Sequence, residues 1–291
     1  MGNLTAQPPR PTSAPGWRLP ELACDSHAHI FGPFDRFPTA SDAAYDAVPA
    51  PVEAYLAMLD ALGAARGILV QAAPYRDDNA ILVDALRRFP VRLRGVALAF
   101  PAVTDASLGK LVAAGVRGLR FSHFPATGAH AGTIGLDGLV ALAPRMREHG
   151  LHAQLWMPAA EFVLHAPGLL GLGLPLVLDH MNKPEVSLGP QDRVVRRLLG
   201  LLCDEDLWVK LVPHRVSEGF PDYGDIRPFH AAFLHARPDR LLWGTDWPFV
   251  RMGDKTPDAG HLADLFAEWT NDPALRKQIL VDNPARLYGF G

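Results

Sequence analysis

Eight short runs rich in Val, Leu and Ile recur along the chain, each followed by a longer stretch whose apolar residues come at three- and four-residue spacing. Runs of the first kind suit strands and stretches of the second kind suit helices, so their repeated alternation predicts a parallel sheet with helices outside it. The strands are expected at Leu22–Ser26, Arg66–Gln71, Arg92–Ala99, Val116–Ser122, Leu151–Trp156, Pro175–His180, Leu207–Val212 and Arg240–Thr245. The helices are expected at Pro51–Gly63, Asp77–Phe89, Asp105–Ala114, Asp137–Glu148, Ala159–Leu170, Gln191–Cys203, Asp225–Ala236 and Pro257–Thr270. Several open on Asp or Pro, which first turns favour. Eight of each fit a closed (β/α)8 TIM barrel of the α/β class better than an open sheet, which needs a topological switch and no set number of strands. Asp272–Leu287 reads as a last helix sealing the barrel.

A chain of 291 residues with 48% hydrophobic content can fill one such barrel, taken as residues 21–291. Residues 1–20, rich in Pro and polar side chains, read as a disordered or surface-lying arm; the continuous apolar stretch of a signal or membrane span is missing there. The formal charge of -3 gives no broad electrostatic reason for a nucleic-acid or membrane partner. Cys24 and Cys203 form neither a metal motif nor a disulfide framework, so the expected compartment is the cytoplasm.

In a barrel of this kind the reacting groups stand at the carboxyl ends of the strands. Strand one there carries His27 and His29, strand four Arg120 and His123, strand five Trp156, strand six Asp179 and His180, strand seven His214 and Arg215, and strand eight Asp246. Histidines at i and i+2 on a strand share one side and can address one metal or one substrate. Among 12 histidines a His-x-His is close to chance, so the pair gains its meaning from its place. Two surface histidines capping a turn, a buried His180 and an N-capping Asp246 are the plain structural alternatives. The loop 31–51 is too long for an ordinary connection and should lie over the same end. No Gly-x-Ser-x-Gly elbow and no phosphate-binding Gly-Lys loop occurs.

Asp25-Ser26-His27-Ala28-His29-Ile30-Phe31-Gly32, Val116-Arg117-Gly118-Leu119-Arg120-Phe121, Asp179-His180-Met181-Asn182-Lys183-Pro184, Trp243-Gly244-Thr245-Asp246-Trp247-Pro248 and Asn283-Pro284 follow one another in a single register. In this the chain resembles the amidohydrolase superfamily (amidohydrolase family 2), in its lactonase branch typified by 2-pyrone-4,6-dicarboxylate lactonase. The resemblance implies a lactonase, a hydrolase of cyclic esters in aromatic or sugar-acid breakdown. Asp246 would act as general base on water, with His27, His29 and His180 polarising the carbonyl. It implies a small-molecule lactone as partner and leaves room for a homo-oligomer.

Members of the branch differ on metal. The expectation is that none is required, the alternative being one divalent ion, such as zinc, on His27, His29, His180 and Asp246. A binuclear centre is not expected, with no strand-five histidine and no strand-four lysine or glutamate read into the set. Arg120, Arg215 and Tyr45 fall where the branch binds its substrate, Arg being suited to carboxylates by its rigid fork. Lys183, Trp156 and Tyr75 stand where the branch has other residues, and with His123 they complete the expected substrate-binding set. The resulting reading is a substrate with one anionic group and a larger apolar body. A metal-dependent decarboxylase, a lactone isomerase and a non-catalytic ligand-binding barrel are the alternatives.

Overall fold

The computed structural model describes residues 9–43, 45–126 and 128–291. Its barrel runs β1 (Cys24–Ala28), α1 (Val52–Leu62), β2 (Arg66–Val70), α2 (Ala80–Arg88), β3 (Leu93–Ala97), α3 (Asp105–Ala114), β4 (Val116–Ser122), α4 (Leu136–Glu148), β5 (His152–Trp156), α5 (Ala159–Leu170), β6 (Leu176–Leu178), α6 (Arg193–Asp204), β7 (Leu207–Leu211), α7 (Arg227–Ala236), β8 (Leu241–Trp243) and α8 (Ala259–Trp269). The strands pair in chain order and all in parallel, from β1 with β2 to β7 with β8. The seam closes just beyond β8, where Asp246 N donates to His27 O at 2.8 Å and His29 N to Trp247 O at 2.7 Å. The (β/α)8 architecture is therefore the one the alternation predicts.

Elements end early where side chains take over backbone duties. The second helix starts at Ala80 instead of Asp77, because Asn79 exchanges two hydrogen bonds with the main chain of Leu98 at the end of β3. β6 stops at Leu178, since His180, Met181, Asn182 and Lys183 all adopt positive φ in a left-handed turn. The expected last helix is broken into α9 (Pro273–Lys277), a π turn (Gln278–Asp282) and α10 (Asn283–Tyr288). Pro284 has no N–H for the regular ladder, and Asn283 Nδ2 is tied to the carbonyls of Pro238 and Leu241.

Alternate strand positions fill the barrel interior in layers. Its lower part is apolar and holds Cys24, Ile68, Val70, Val96, Val177, Trp208 and Leu242, sealed from below by Tyr288 and Phe290. The layer above it is polar, and the chemistry lies there. Strand five does contain a histidine, His152, but it opens the strand at the lower end, 5.4 Å from the Tyr288 ring, and so stands apart from the other histidines.

Of the arm, residues 13–17 lie along α8, where Gly16 N donates to Asp264 and the Trp17 indole to Ala263 O; residues 1–8 lie outside the described residues. The long loop is clasped at its base by reciprocal backbone bonds between Phe31 and Ala50, and it brings Tyr45 over the carboxyl end of the barrel. Among the described residues no helix is long and apolar enough to cross a membrane.

Candidate active site

At that end a cavity of about 370 Å³ opens above the polar layer. His29, His180 and Asp246 are on its wall, as are Arg120, Arg215, Lys183, Tyr45 and Trp156. His27 is fully buried one layer beneath, with Nε2 3.4 Å from Asp246 Oδ1 and its ring 5.0 Å from that of His180. Two of the expected substrate residues lie elsewhere. The Tyr75 hydroxyl accepts from Gly32 N at 2.8 Å and so holds the β1 loop, and His123 pairs with Glu161 at 3.2 Å.

Asp246 owes its position to the turn after β8. Its own φ is +55°, and Gly244 lies so near β1 that a side chain there would meet His27 at 2.9 Å. Such left-handed residues cost about 1–3 kcal/mol each and persist where surrounding contacts over-determine them. The overdetermining group is Asp25, which accepts from Thr245 N and Oγ1, both at 2.8 Å, and from Tyr55 at 3.0 Å. Burial would raise the Asp246 carboxyl. Arg215 Nε on Oδ2, together with His29, His180 and His27, outweighs burial and holds it well below the usual carboxylate range.

Three ring and carboxylate atoms converge at the centre. His29 Nδ1 donates to Val70 O at 2.8 Å, so in the neutral ring Nε2 carries the lone pair, and it faces Asp246 Oδ1 at 3.3 Å. His27 Nε2 faces the same oxygen, and neither it nor Oδ1 has a hydrogen-bond partner among the described residues. Acceptors this close call for a proton or a cation between them. Their 3.3 and 3.4 Å separations match the edge of a tetrahedron with metal–ligand bonds of about 2.0–2.1 Å, so this donor set fits one divalent ion. His180 belongs instead to a neighbouring trio with His27 and Asp179.

Beneath the wall runs a buried chain of charge. Arg120 donates to Asp179 Oδ2 from Nε at 3.0 Å and Nη2 at 2.9 Å, Gln154 Nε2 donates to the same oxygen at 3.2 Å, and Lys210 Nζ donates to Gln154 Oε1 at 2.7 Å. Lys210 Nζ also lies 3.4 Å from His27 Nδ1, which is 3.3 Å from Asp179 Oδ1. Burial and then Lys210 push His27 down to about 3, so its ring is neutral. Burial lowers Lys210 to about 8, with Asp179 opposing. Asp179 itself would be raised by burial but is held well below the usual range by Arg120, His27 and Lys210. His180 is kept neutral by burial.

The amidohydrolase family model matches residues 24–290. The chain belongs to the amidohydrolase family. It is 38% identical to a 4-sulfomuconolactone hydrolase of Rhizobium radiobacter over 97% of this chain and 95% of that one. It is 34% identical to a 2-pyrone-4,6-dicarboxylate hydrolase of Comamonas testosteroni over 95% and 93%. Among solved structures, a putative 2-pyrone-4,6-dicarboxylic acid hydrolase from Pseudomonas putida is similar with a TM-score of 0.79 and 29% identity, covering 94% of this chain and 99% of that one.

This amidohydrolase also has residues at its site to which the sequence alone assigned no role. His130, His214 and Arg251 line the cavity, and Lys210, Gln154 and Asp179 lie fully buried beneath its floor. Lys210 left a signal, a lone charge inside the apolar strand Leu207–Leu211, at the position where alternation points inward. His214 stood visibly at a strand end, and both its ring nitrogens are free of partners among the described residues. Arg251 left none, because it arrives from the loop after β8. Among the four cations on the wall, Arg120 is paired with Asp179 and Arg215 with Asp246, while Lys183 and Arg251 have no carboxylate partner among the described residues.

Proposed function

We propose that this amidohydrolase hydrolyses the ester bond of a lactone carrying two negative charges, with Asp246 acting on water. The observation that carries the reading is the Asp246 carboxylate. It is buried, ionised and set on the cavity wall, Oδ2 is held by Arg215, and Oδ1 has no hydrogen-bond partner among the described residues. The lactones in the names of the two relatives support the substrate class. The two unpaired cations, Lys183 and Arg251, support a dianion over the single anionic group expected from sequence.

The Asp246 carboxylate accepts a proton as the water oxygen attacks the lactone carbonyl carbon. The carbonyl oxygen gains negative charge beside His180, which lines the cavity and is kept neutral by burial. The ring C–O bond then breaks, and the proton on Asp246 passes to the departing oxygen, leaving a hydroxy acid. A strongly ionised carboxylate is a weak base, and Arg215 connects the two requirements. A substrate anion competes for its guanidinium, loosens its grip on Asp246, and raises the proton affinity of Asp246 only when substrate is bound. His27 works from beneath, fixed by Asp179 and Lys210.

His27, His29 and Asp246 are the residues that would hold a divalent ion, which when bound would supply Lewis-acid polarisation of water or carbonyl. The test is turnover of a panel of anionic lactones before and after chelation. Ring opening of dianionic lactones supports the reading, and failure across the panel defeats it. Loss on chelation and recovery with zinc would assign a metal to the site.

A further inference from the structure

A second set of metal-ligating side chains lies outside the cavity. His123 follows the last residue of β4, and Glu161 and His165 stand four apart on α5, hence on one face of that helix. One atom from each, a histidine nitrogen, a carboxylate oxygen and a second histidine nitrogen, lies within 4.8 Å of the other two. Glu161 Oε2 is 3.2 Å from His123 Nε2 and 3.8 Å from His165 Nε2, and the two rings meet edge-on at 5.0 Å and 80°. We propose that His123, Glu161 and His165 form a divalent transition-metal site, suited to zinc and separate from the barrel centre.

Two nitrogens and a carboxylate oxygen are a ligand set zinc takes with water in the fourth position. A simple ion pair accounts for only half of the arrangement. The His123–Glu161 contact is a hydrogen bond, but His165 Nε2 at 3.8 Å is beyond one and has no other hydrogen-bond partner among the described residues. Its ring nevertheless stands against the same carboxylate oxygen. The frame is held in place, since His123 N donates to Trp156 O at 3.1 Å and α5 begins three residues after Trp156. The side chains are 19–40% exposed, open enough for an ion and its water to enter. No member of the trio lines the cavity or contributes to the central trio of His27, His29 and Asp246.

The site has a neighbour of consequence. Phe124, next to His123, packs edge-on against Trp156 at 5.0 Å, and Trp156 lies under the Arg120 guanidinium in the cavity wall. An ion on the trio would fasten the chain after β4 to α5 beside that wall.

Chelator-stripped protein titrated with zinc in a calorimeter, with bound zinc counted after gel filtration, tests the proposal. His165→Ala and Glu161→Gln should each take up one equivalent fewer than the wild type at the zinc concentration that saturates it. The barrel centre is intact in all three proteins, so the difference counts this site alone whether or not the centre binds zinc. Near-UV circular dichroism identical to wild type establishes that the variants are folded, and two independent replacements guard against one that is not. Equal uptake by all three proteins, or no uptake by the wild type, overturns the proposal.

Discussion

Lys210 Nζ lies 3.4 Å from Nδ1 of His27 in the middle of the barrel, with neither residue exposed to solvent. That ammonium lowers the proton affinity of the His27 ring and competes with Asp179 for the nitrogen that faces away from the cavity. Lys210→Met keeps the bulk and removes the charge. Groups that orient a working ring from behind typically contribute about 10–100-fold. We expect kcat to fall by about that factor with KM nearly unchanged, because Lys210 does not line the cavity. Steady-state kinetics at saturating substrate separate the two; a rise in KM alone would remove Lys210 from this role.

Arg215 should act on both substrate and base. In Arg215→Ala the substrate anion loses a cation and Asp246 loses the group that most strongly holds its carboxyl down, so KM rises, by about tenfold or more. The sign of the pH effect follows. The ionised carboxylate is the working form, and raising its pKa brings its loss to a higher pH. The acid limb of the kcat/KM profile, which reports the free enzyme, should therefore move upward relative to wild type, and an unmoved limb would speak against the contact.

Arg251→Ala separates a dianion from a monoanion. The variant should lose about tenfold in kcat/KM, some 1.4 kcal/mol, for a lactone with two anionic groups and little for one with a single group. Equal losses for both would return the substrate to the single anion that the sequence suggested.

The barrel, its strands and the positions of His27, His29, His180 and Asp246 were legible because each depends on local pattern, an apolar run ending in a polar side chain. The floor was not. Asp179 could be read as part of a motif, but its ion pair with Arg120 joins β4 to the end of β6, and the contact between Lys210 and His27 crosses from β7 to β1. Such pairings are made by closure of the barrel, which sets residues far apart in sequence across one interior. Tyr75 shows the converse, since a tyrosine near a strand end in sequence has its hydroxyl engaged by the backbone of Gly32.

Stability should fall in mild acid. His152, His214 and His230 are buried and held down to about 3, chiefly by burial, so between that value and about 6.5 the unfolded chain binds protons that the folded chain refuses. Their contribution is complete above about pH 6.5 and is lost as pH falls toward 3, at up to about 1.4 kcal/mol per pH unit for each. Asp25, raised to about 6 by burial, acts in the opposite sense and offsets one of the three. Urea unfolding at pH 7 and pH 5 should show a lower midpoint at pH 5; equal midpoints would contradict the buried neutral rings.

The central claim is that Asp246 moves the proton of the attacking water, and Asp246→Asn tests it most directly. Asparagine keeps the shape and cannot accept that proton. In single-turnover ring opening of a dianionic lactone, the variant should bind the substrate and open it at least about a thousandfold more slowly than wild type. An Asp246→Asn protein that opens the lactone at a rate near wild type would contradict the account.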